Sequence, residues 1–354
     1  MSYELSAMNE DHLQELLTNV WQKTGYDFRE YRRQTIERRI ARRIALLNVT
    51  DIPAYRALLE RNPEEYWHLI GELTIKVSRL FRNPYVFEFM DQAIWPELLR
   101  PPGADKHLRI WSAGCAYGEE TYSLAISILD HMERKKIPLK GYEITIIGTD
   151  IDEEALMLAR AGQYDSTSVG EVKKRLLDRY FYYESNPPIP PLTKGGKEGL
   201  LKGGASAKFL FGKGGHPLYP PSEKGSPYIP PLGKGSPYIP PLGKGDTGGF
   251  SGETGYYTVV TRVKEMITFA VHDLTSPTIM SPPPGVVTNY DLIFCRNLLI
   301  YFAPALQERV LFKLLRVLNP GGYLILGESE TLPPQMADSL QVFDKRANIY
   351  QKVK

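Results

Sequence analysis

The stretch IWSAGCAYGEETYSLAI, Ile110 to Ile126, reads as a strand that turns through small residues into a helix. Gly114 and Gly118 flank Cys115, and Glu119 and Glu120 open the helix. The turn is neither GxGxxG nor a P-loop. The N-terminus of a helix carries partial positive charge and free amides, which suit phosphate. Two carboxylates at that place would repel a pyrophosphate and would suit a cation. Further on, EITIIGTD closes on Asp150. An acidic residue ending the second strand of a Rossmann-like unit holds a ribose diol through charge-assisted hydrogen bonds. A nucleoside joined to a cationic amino-acid tail is S-adenosylmethionine, and Ala113, Gly114 and Gly118 are small enough to let the backbone approach it. The competing reading is a tight turn followed by ordinary N-terminal helix acids.

These residues need a scaffold that brings strand ends together. LRIWSA, EITIIGTD, YDLIFC and GGYLIL are short apolar runs. The first three are each followed by a helical segment: Glu119 to His131, Asp152 to Ala161 and Ala305 to Leu318. Strand and helix alternating at this spacing predict a doubly wound, mostly parallel sheet with its ligand over the C-terminal strand ends. Those ends are SAGCAYGEE, GTDID, CRN and GES.

Residues 1–90 read as helical. In FREYRRQTIERRIARRIALL, Phe28 to Leu47, an apolar stripe of Ile36, Ile40, Ile44 and Leu47 follows the helical period. Arg38 and Arg42 fall opposite it, and Arg32, Arg39 and Arg43 fall along one flank. So dense a cluster is either a solvated face or a docking face for an acidic partner. Residues 187–255 are rich in Pro, Gly, Lys and Ser, with SPYIPPLGKG in tandem at 226–235 and 236–245. Such repeats cannot pack a core, and the expectation is a disordered insertion. Its flanks, RYFYYE and YYTVVTRV, could pair as strands. With them, 163–270 is expected to form a small β-subdomain grafted onto a sheet domain over 91–354.

The 354 residues, 42% hydrophobic, suffice for two cored domains. No apolar run is long enough to span a bilayer, and the N-terminus lacks signal-peptide character. Two cysteines make neither a disulfide framework nor a zinc site. A net charge of +2 gives no global signal for nucleic acid. A reduced, cytoplasmic, monomeric protein without metal is expected.

Five segments, LTIKVSRLFRNPYVF, IWSAGCAYGEETYSLAI, IIGTDIDEEALMLARAGQY, YDLIFCRNLLIYF and LNPGGYLILGESE, resemble in order and spacing the CheR-type chemotaxis receptor methyltransferases. The resemblance covers the chain outside 187–255. It implies a Rossmann-like class I S-adenosylmethionine-dependent methyltransferase sheet, an N-terminal helical domain and a grafted β-subdomain. It also implies methyl transfer to glutamate carboxylates of chemoreceptors, with S-adenosylhomocysteine as product. The family pattern Ile-Asn-Val-Thr-x-Phe-Phe-Arg falls on Ile75 to Arg82, which puts Lys76, Ser78 and Arg82 at the cofactor, Lys76 in place of Asn. Of the glutamate pair, Glu120 ahead of Glu119 receives the methionine amino group, and Asp150 takes the ribose. Asp273 and Leu274 stand where the family has Asn-Leu near the adenine. Arg296, Asn297 and Leu298 lie beside the cofactor. Tyr301, with Arg82, positions the substrate carboxylate, whereas Phe302 reads as core.

A glutamate is already ionised at neutral pH, so direct displacement needs alignment rather than a base. The implied partner is the cytoplasmic helical domain of methyl-accepting receptors, with Arg32, Arg38, Arg39, Arg42 and Arg43 as its electrostatic complement. Two rival classes are a non-catalytic S-adenosylmethionine-binding regulator and a nucleic-acid methyltransferase. Retention of Arg82, Glu120, Asp150, Asn297 and Tyr301 argues against the first. The absence of aromatics interleaved with the arginines argues against the second.

Overall fold

The computed structural model describes residues 9–99, 106–185, 255–279, 282 and 289–353. The chain opens with α1 (Glu10–Thr24), α2 (Arg33–Leu46), α3 (Ile52–Arg61) and α4 (Glu64–Leu73). Asn9 and Asp51 accept from the Asp11 and Ala54 amides to start α1 and α3, and Gly25 ends α1 in the left-handed region. The apolar stripes meet in one cluster holding Leu16, Val20, Phe28, Ile36, Ile40, Tyr55 and Leu69. On the predicted stripe of α2, Ile36 and Ile40 are buried while Ile44 and Leu47 are half-buried. Residues 1–8 of the expected helical segment lie outside the described residues.

A bent helical stretch follows: α5 (Pro84–Phe89), a π turn over Met90–Ile94 and α6 (Trp95–Leu98). The sheet region then runs β1 (Lys106–Ala113), α7 (Glu119–Arg134), β2 (Tyr142–Asp150), α8 (Glu153–Ala161), β3 (Gln163–Tyr164), α9 (Lys174–Tyr180) and β4 (Phe181–Ser185). It continues with β5 (Gly255–Val259), α10 (Thr261–Lys264), β6 (Ile267–Val271), β7 (Tyr290–Cys295), α11 (Pro304–Val317), β8 (Leu318–Leu326), β9 (Leu340–Asp344) and β10 (Ile349–Lys352).

Seven strands form one sheet in the order β6-β2-β1-β7-β8-β10-β9. Neighbours from β6 to β8 are parallel, and β10 pairs antiparallel with β8 and β9. Central strands are apolar almost throughout because helices cover both faces. Leu124, Ile128 and Met132 of α7 pack with Ile110 and Ile146 on one face, and Leu311 and Leu314 of α11 pack with Trp111 and Ile293 on the other. The chain leaves β1 toward β2 on one side and β7 on the other, which opens a crevice over their C-terminal ends.

A second sheet has the order β3-β5-β4. The strands flanking the repeats pair antiparallel, Phe181 with Val259 through Ser185 with Gly255. The expected insertion lies outside the described residues up to 254, and Gly255 is the first residue of β5. One expectation changes: Ile267–Val271 pairs with β2 in the large sheet rather than within the grafted subdomain expected over 163–270. Its apolar alternation is that of an edge strand on either sheet, and only the partner distinguishes them. Among the described residues no helix is long and apolar enough to cross a membrane.

Candidate active site

A cleft with about 690 Å³ of empty space, part of it open to solvent, lies over the C-terminal ends of β1, β2 and β7 and under the segment after α4. The β1–α7 turn brings the backbone in close. Gly114 has a φ of 70°, and a Cβ there would stand 2.7 Å from Leu298 Cδ2. Gly118 has a φ of 85°, and a Cβ there would stand 2.9 Å from Phe269 Cζ. The two glycines singled out at this turn thus meet both a left-handed backbone and a close approach, while Ala113 ends β1.

Asp150 ends β2 in the cleft. Its two carboxylate oxygens accept from the backbone N–H of Ala116 at 2.8 Å and of Asp152 at 3.1 Å. Desolvation pushes its carboxyl up from the ordinary value, and these two amides draw it back. Each oxygen keeps a lone pair for a further donor.

Glu120 also lines the cleft, with its side chain 9% exposed, and Arg296 Nη1 donates to its Oε1 at 2.6 Å. Burial raises its carboxyl; Arg296 and then Arg82 pull it down. Arg296 donates further to the Arg82 carbonyl at 3.1 Å and to Asn83 Oδ1 at 2.9 Å. Glu119 is not among the lining residues. It is buried, its Oε2 has no partner, and burial pushes its carboxyl up to about 8.

Lys76, Ser78 and Arg82 line the cleft together. The ammonium of Lys76 is ion-paired with Asp152, which also caps α8 by accepting from Ala155 at 2.9 Å. Arg82 folds back to donate to the Val77 carbonyl at 3.0 Å. Opposite them, Asn297 has a left-handed φ of 58° and a buried Oδ1 without a partner. Leu298 and Tyr301 complete that wall, while Phe302 is buried in the core.

Asp273 and Leu274 do not line the cleft. Asp273 Oδ1 accepts from the N–H and hydroxyl of Thr275, and Leu274 is buried in the core beside α11. Sequence reasoning passed over Tyr31, which lines the cleft and packs edge-on against Phe302 with ring centroids 4.9 Å apart. Its place inside an arginine run hid it. A lone bridge pairs Tyr31 with Phe302, and Arg32 N–H donates to the Tyr301 carbonyl at 2.8 Å, so the helical region is stitched to the cleft.

The arginines of α2 divide. Arg43 makes a two-pronged bond to Glu65 at 2.5 and 2.6 Å, with side chains 15% and 3% exposed. Arg39 is half-buried and shares Glu72 with Arg42 at 3.2 and 3.3 Å. Arg38 is exposed, and Arg32 is exposed with its Nε turned to the Phe302 carbonyl at 3.3 Å.

The cleft offers hydrogen-bond acceptors from three elements: Glu120 at the start of α7, Asp150 at the end of β2, and the orphaned Asn297 Oδ1 after β7. That set suits a ligand carrying an ammonium and a diol. Among the described residues no group of three or more His, Cys, Asp or Glu could hold a metal ion.

The domain described as "CheR methyltransferase, SAM binding domain" matches residues 76–189 and 250–349, and "CheR methyltransferase, all-alpha domain" matches 11–74. The chain is 25% identical over 265 residues to "Chemotaxis protein methyltransferase 1" of Pseudomonas aeruginosa, covering 75% of this chain and 69% of that protein. It is 24% identical over 330 residues to "Chemotaxis protein methyltransferase" of Escherichia coli, covering 92% and 86%. Against "Uncharacterized 104.1 kDa protein in hypE 3'region" of Rhodobacter capsulatus it is 28% identical over 328 residues, covering 93% of this chain but spanning only 26% of that protein's length.

Proposed function

The chain belongs to the CheR methyltransferase family, and from that premise we propose that it methylates glutamate side chains of chemoreceptors in the cytoplasm, forming methyl esters. One observation carries the reading. The acceptor triad of Glu120, Asp150 and Asn297 shares one cleft with Arg82 and Tyr301. Glu120 and Asp150 match the ammonium and the ribose diol of S-adenosylmethionine, Asn297 adds an acceptor beside them, and the pair offers donors to an incoming carboxylate.

In this reading Glu120 holds the methionine ammonium and is itself steadied by Arg296. Asp150, locked by two backbone amides, receives the ribose diol. Asn297, next to the Arg296 that steadies Glu120, offers its Oδ1 to the cofactor from the β7 side. Lys76 lends its charge to Asp152 and leaves the cofactor to its neighbours. When bound, S-adenosylmethionine supplies a methyl carbon on a cationic sulfur, and that bond breaks with its electron pair remaining on sulfur. The nucleophile is an ionised glutamate of the receptor, which forms the new C–O bond without giving up a proton. Arg82 and the Tyr301 hydroxyl replace part of the water it sheds and fix its approach at about 3 to 3.5 Å.

Methyl transfer from labelled S-adenosylmethionine to receptor-rich membranes tests the proposal. The label should enter receptor protein and leave as methanol in base, the signature of an ester. Stable N-linked label, or label on nucleic acid alone, overturns the reading.

A further inference from the structure

The segment after β7, with a 3-10 turn over Leu299–Tyr301, carries four of the proposed site residues, Arg296, Asn297, Leu298 and Tyr301, yet so short a segment by itself does not hold side chains to a fraction of an ångström. This one reverses through Asn297 in the left-handed region. A single buried carboxylate meets it from the far end of β8. Glu330, 4% exposed, accepts on Oε2 from the amides of Gly327 at 2.6 Å and Asn297 at 3.1 Å. On Oε1 it accepts from Leu299 at 2.7 Å and Ile300 at 3.4 Å. Every partner is a donor, a setting that a carboxylate satisfies and a side-chain amide cannot.

The surroundings hold Glu330 in turn. Asn348 Nδ2 donates to the carbonyls of Gly327 at 2.6 Å and Glu330 at 2.7 Å, and the Tyr350 hydroxyl donates to Asn348 Oδ1 at 2.6 Å. At Gly327 a Cβ would stand 2.6 Å from the Asn297 nitrogen and 2.8 Å from Glu330 Oε2. Glycine is what lets the end of β8 come within reach. Glu330 is not among the residues lining the cleft.

We infer that Glu330 is a positioning residue: it clamps the Asn297–Ile300 backbone and so sets Asn297, Leu298 and Tyr301 for cofactor and substrate. The clamp stands on geometry alone. Its consequence for binding rests on the cofactor reading above. Burial pushes the Glu330 carboxyl up and the four amides draw it back, as expected for a carboxylate held by donors.

Residue-resolved hydrogen exchange tests the clamp on the wild-type protein without ligand. The amides of Asn297 and Leu299, just before and at the start of that turn and bonded to no backbone carbonyl among the described residues, should exchange at least about a hundredfold slower than unstructured chain. Exchange at open-loop rates overturns the inference. In Glu330→Gln, exchange at 297–300 and 327 should speed by about tenfold or more while the β7 and β8 amides keep their rates. S-adenosylhomocysteine affinity should fall by about tenfold as one side of the clamp meets a donor instead of an acceptor. Acceleration spread over the whole sheet, or local acceleration with full affinity, overturns it. The exchange arm needs no ligand, so it separates failure of the clamp from failure of the cofactor reading.

Discussion

Asp150 has two tasks, because the carboxylate proposed for the ribose also holds the Ala116 and Asp152 amides. Asp150→Ala should weaken S-adenosylmethionine binding by about 2 to 3 kcal/mol through lost charge-assisted bonds. Calorimetry on the folded variant checks this, and unchanged affinity would remove Asp150 from the ribose. Tyr301→Phe should slow methyl transfer while cofactor affinity stays near wild type, since only the hydroxyl is lost. Equal loss of both, or of neither, would make Tyr301 a packing residue. His272 carries a prediction about pH. It is buried beside Trp111, neither ring nitrogen has a partner, and burial, then Lys313, lowers its pKa from 6.5 to about 4. The folded state therefore binds this proton less readily than the unfolded chain. Stability is fully present above pH 6.5 and should fall as pH drops toward 4, by at most about 3 kcal/mol. Urea midpoints compared at pH 7 and 5 should show that loss, and His272→Phe should lessen it. At this scale the sequence was legible as to which residues meet, since Glu120, Asp150 and Asn297 do line one cleft. It was illegible where a role depends on a distant partner. Nothing in LTIKVS announces that Lys76 will spend its charge on Asp152, and nothing in GESE marks Glu330 as a meeting point for loop amides.

Among elements, α2 separates what periodicity can see from what it cannot. The apolar stripe was readable because burial repeats with the helical turn. The fate of the flanking arginines was not, because Glu65 and Glu72 lie on another helix. Arg43→Ala should lower stability by about 3 to 5 kcal/mol, because it strands Glu65 in the core with the Tyr55 hydroxyl as its one remaining side-chain hydrogen-bond partner among the described residues. A thermal shift within error of wild type would show that the buried pair is idle. Arg38→Glu combined with Arg42→Glu, both on the exposed side, should leave the melting temperature nearly unchanged. If α2 docks acidic receptor helices, the double variant should lose receptor methylation at low salt while keeping cofactor affinity. Wild-type capture should also weaken as salt rises. Normal methylation by the double variant would move the docking surface elsewhere. The same limit explains β6: an apolar alternating run names a strand, while the sheet it joins is decided by neighbours far away in sequence.

For the molecule as a whole, every proposed site residue lies outside the repeat segment. Replacing residues 187–254 by a short Gly-Ser link should leave a folded, cofactor-binding enzyme, with stability raised by roughly 1.7 kcal/mol or less from the shorter loop. Methylation of purified receptor by the deletion variant checks this; its loss, with fold and cofactor binding intact, would make the repeats part of the catalytic machinery. The doubly wound, mostly parallel sheet was legible, since strands and helices alternate with clear punctuation. The antiparallel β9–β10 extension was not, because short half-exposed strands carry little pattern. The pairing of Ser185 with Gly255 has a further use. Paired antiparallel residues stand only about 4.5 to 5.5 Å apart. That junction is a socket: a reporter domain whose own ends lie close together could be spliced between those two residues and read out receptor engagement without touching any strand end that forms the cleft.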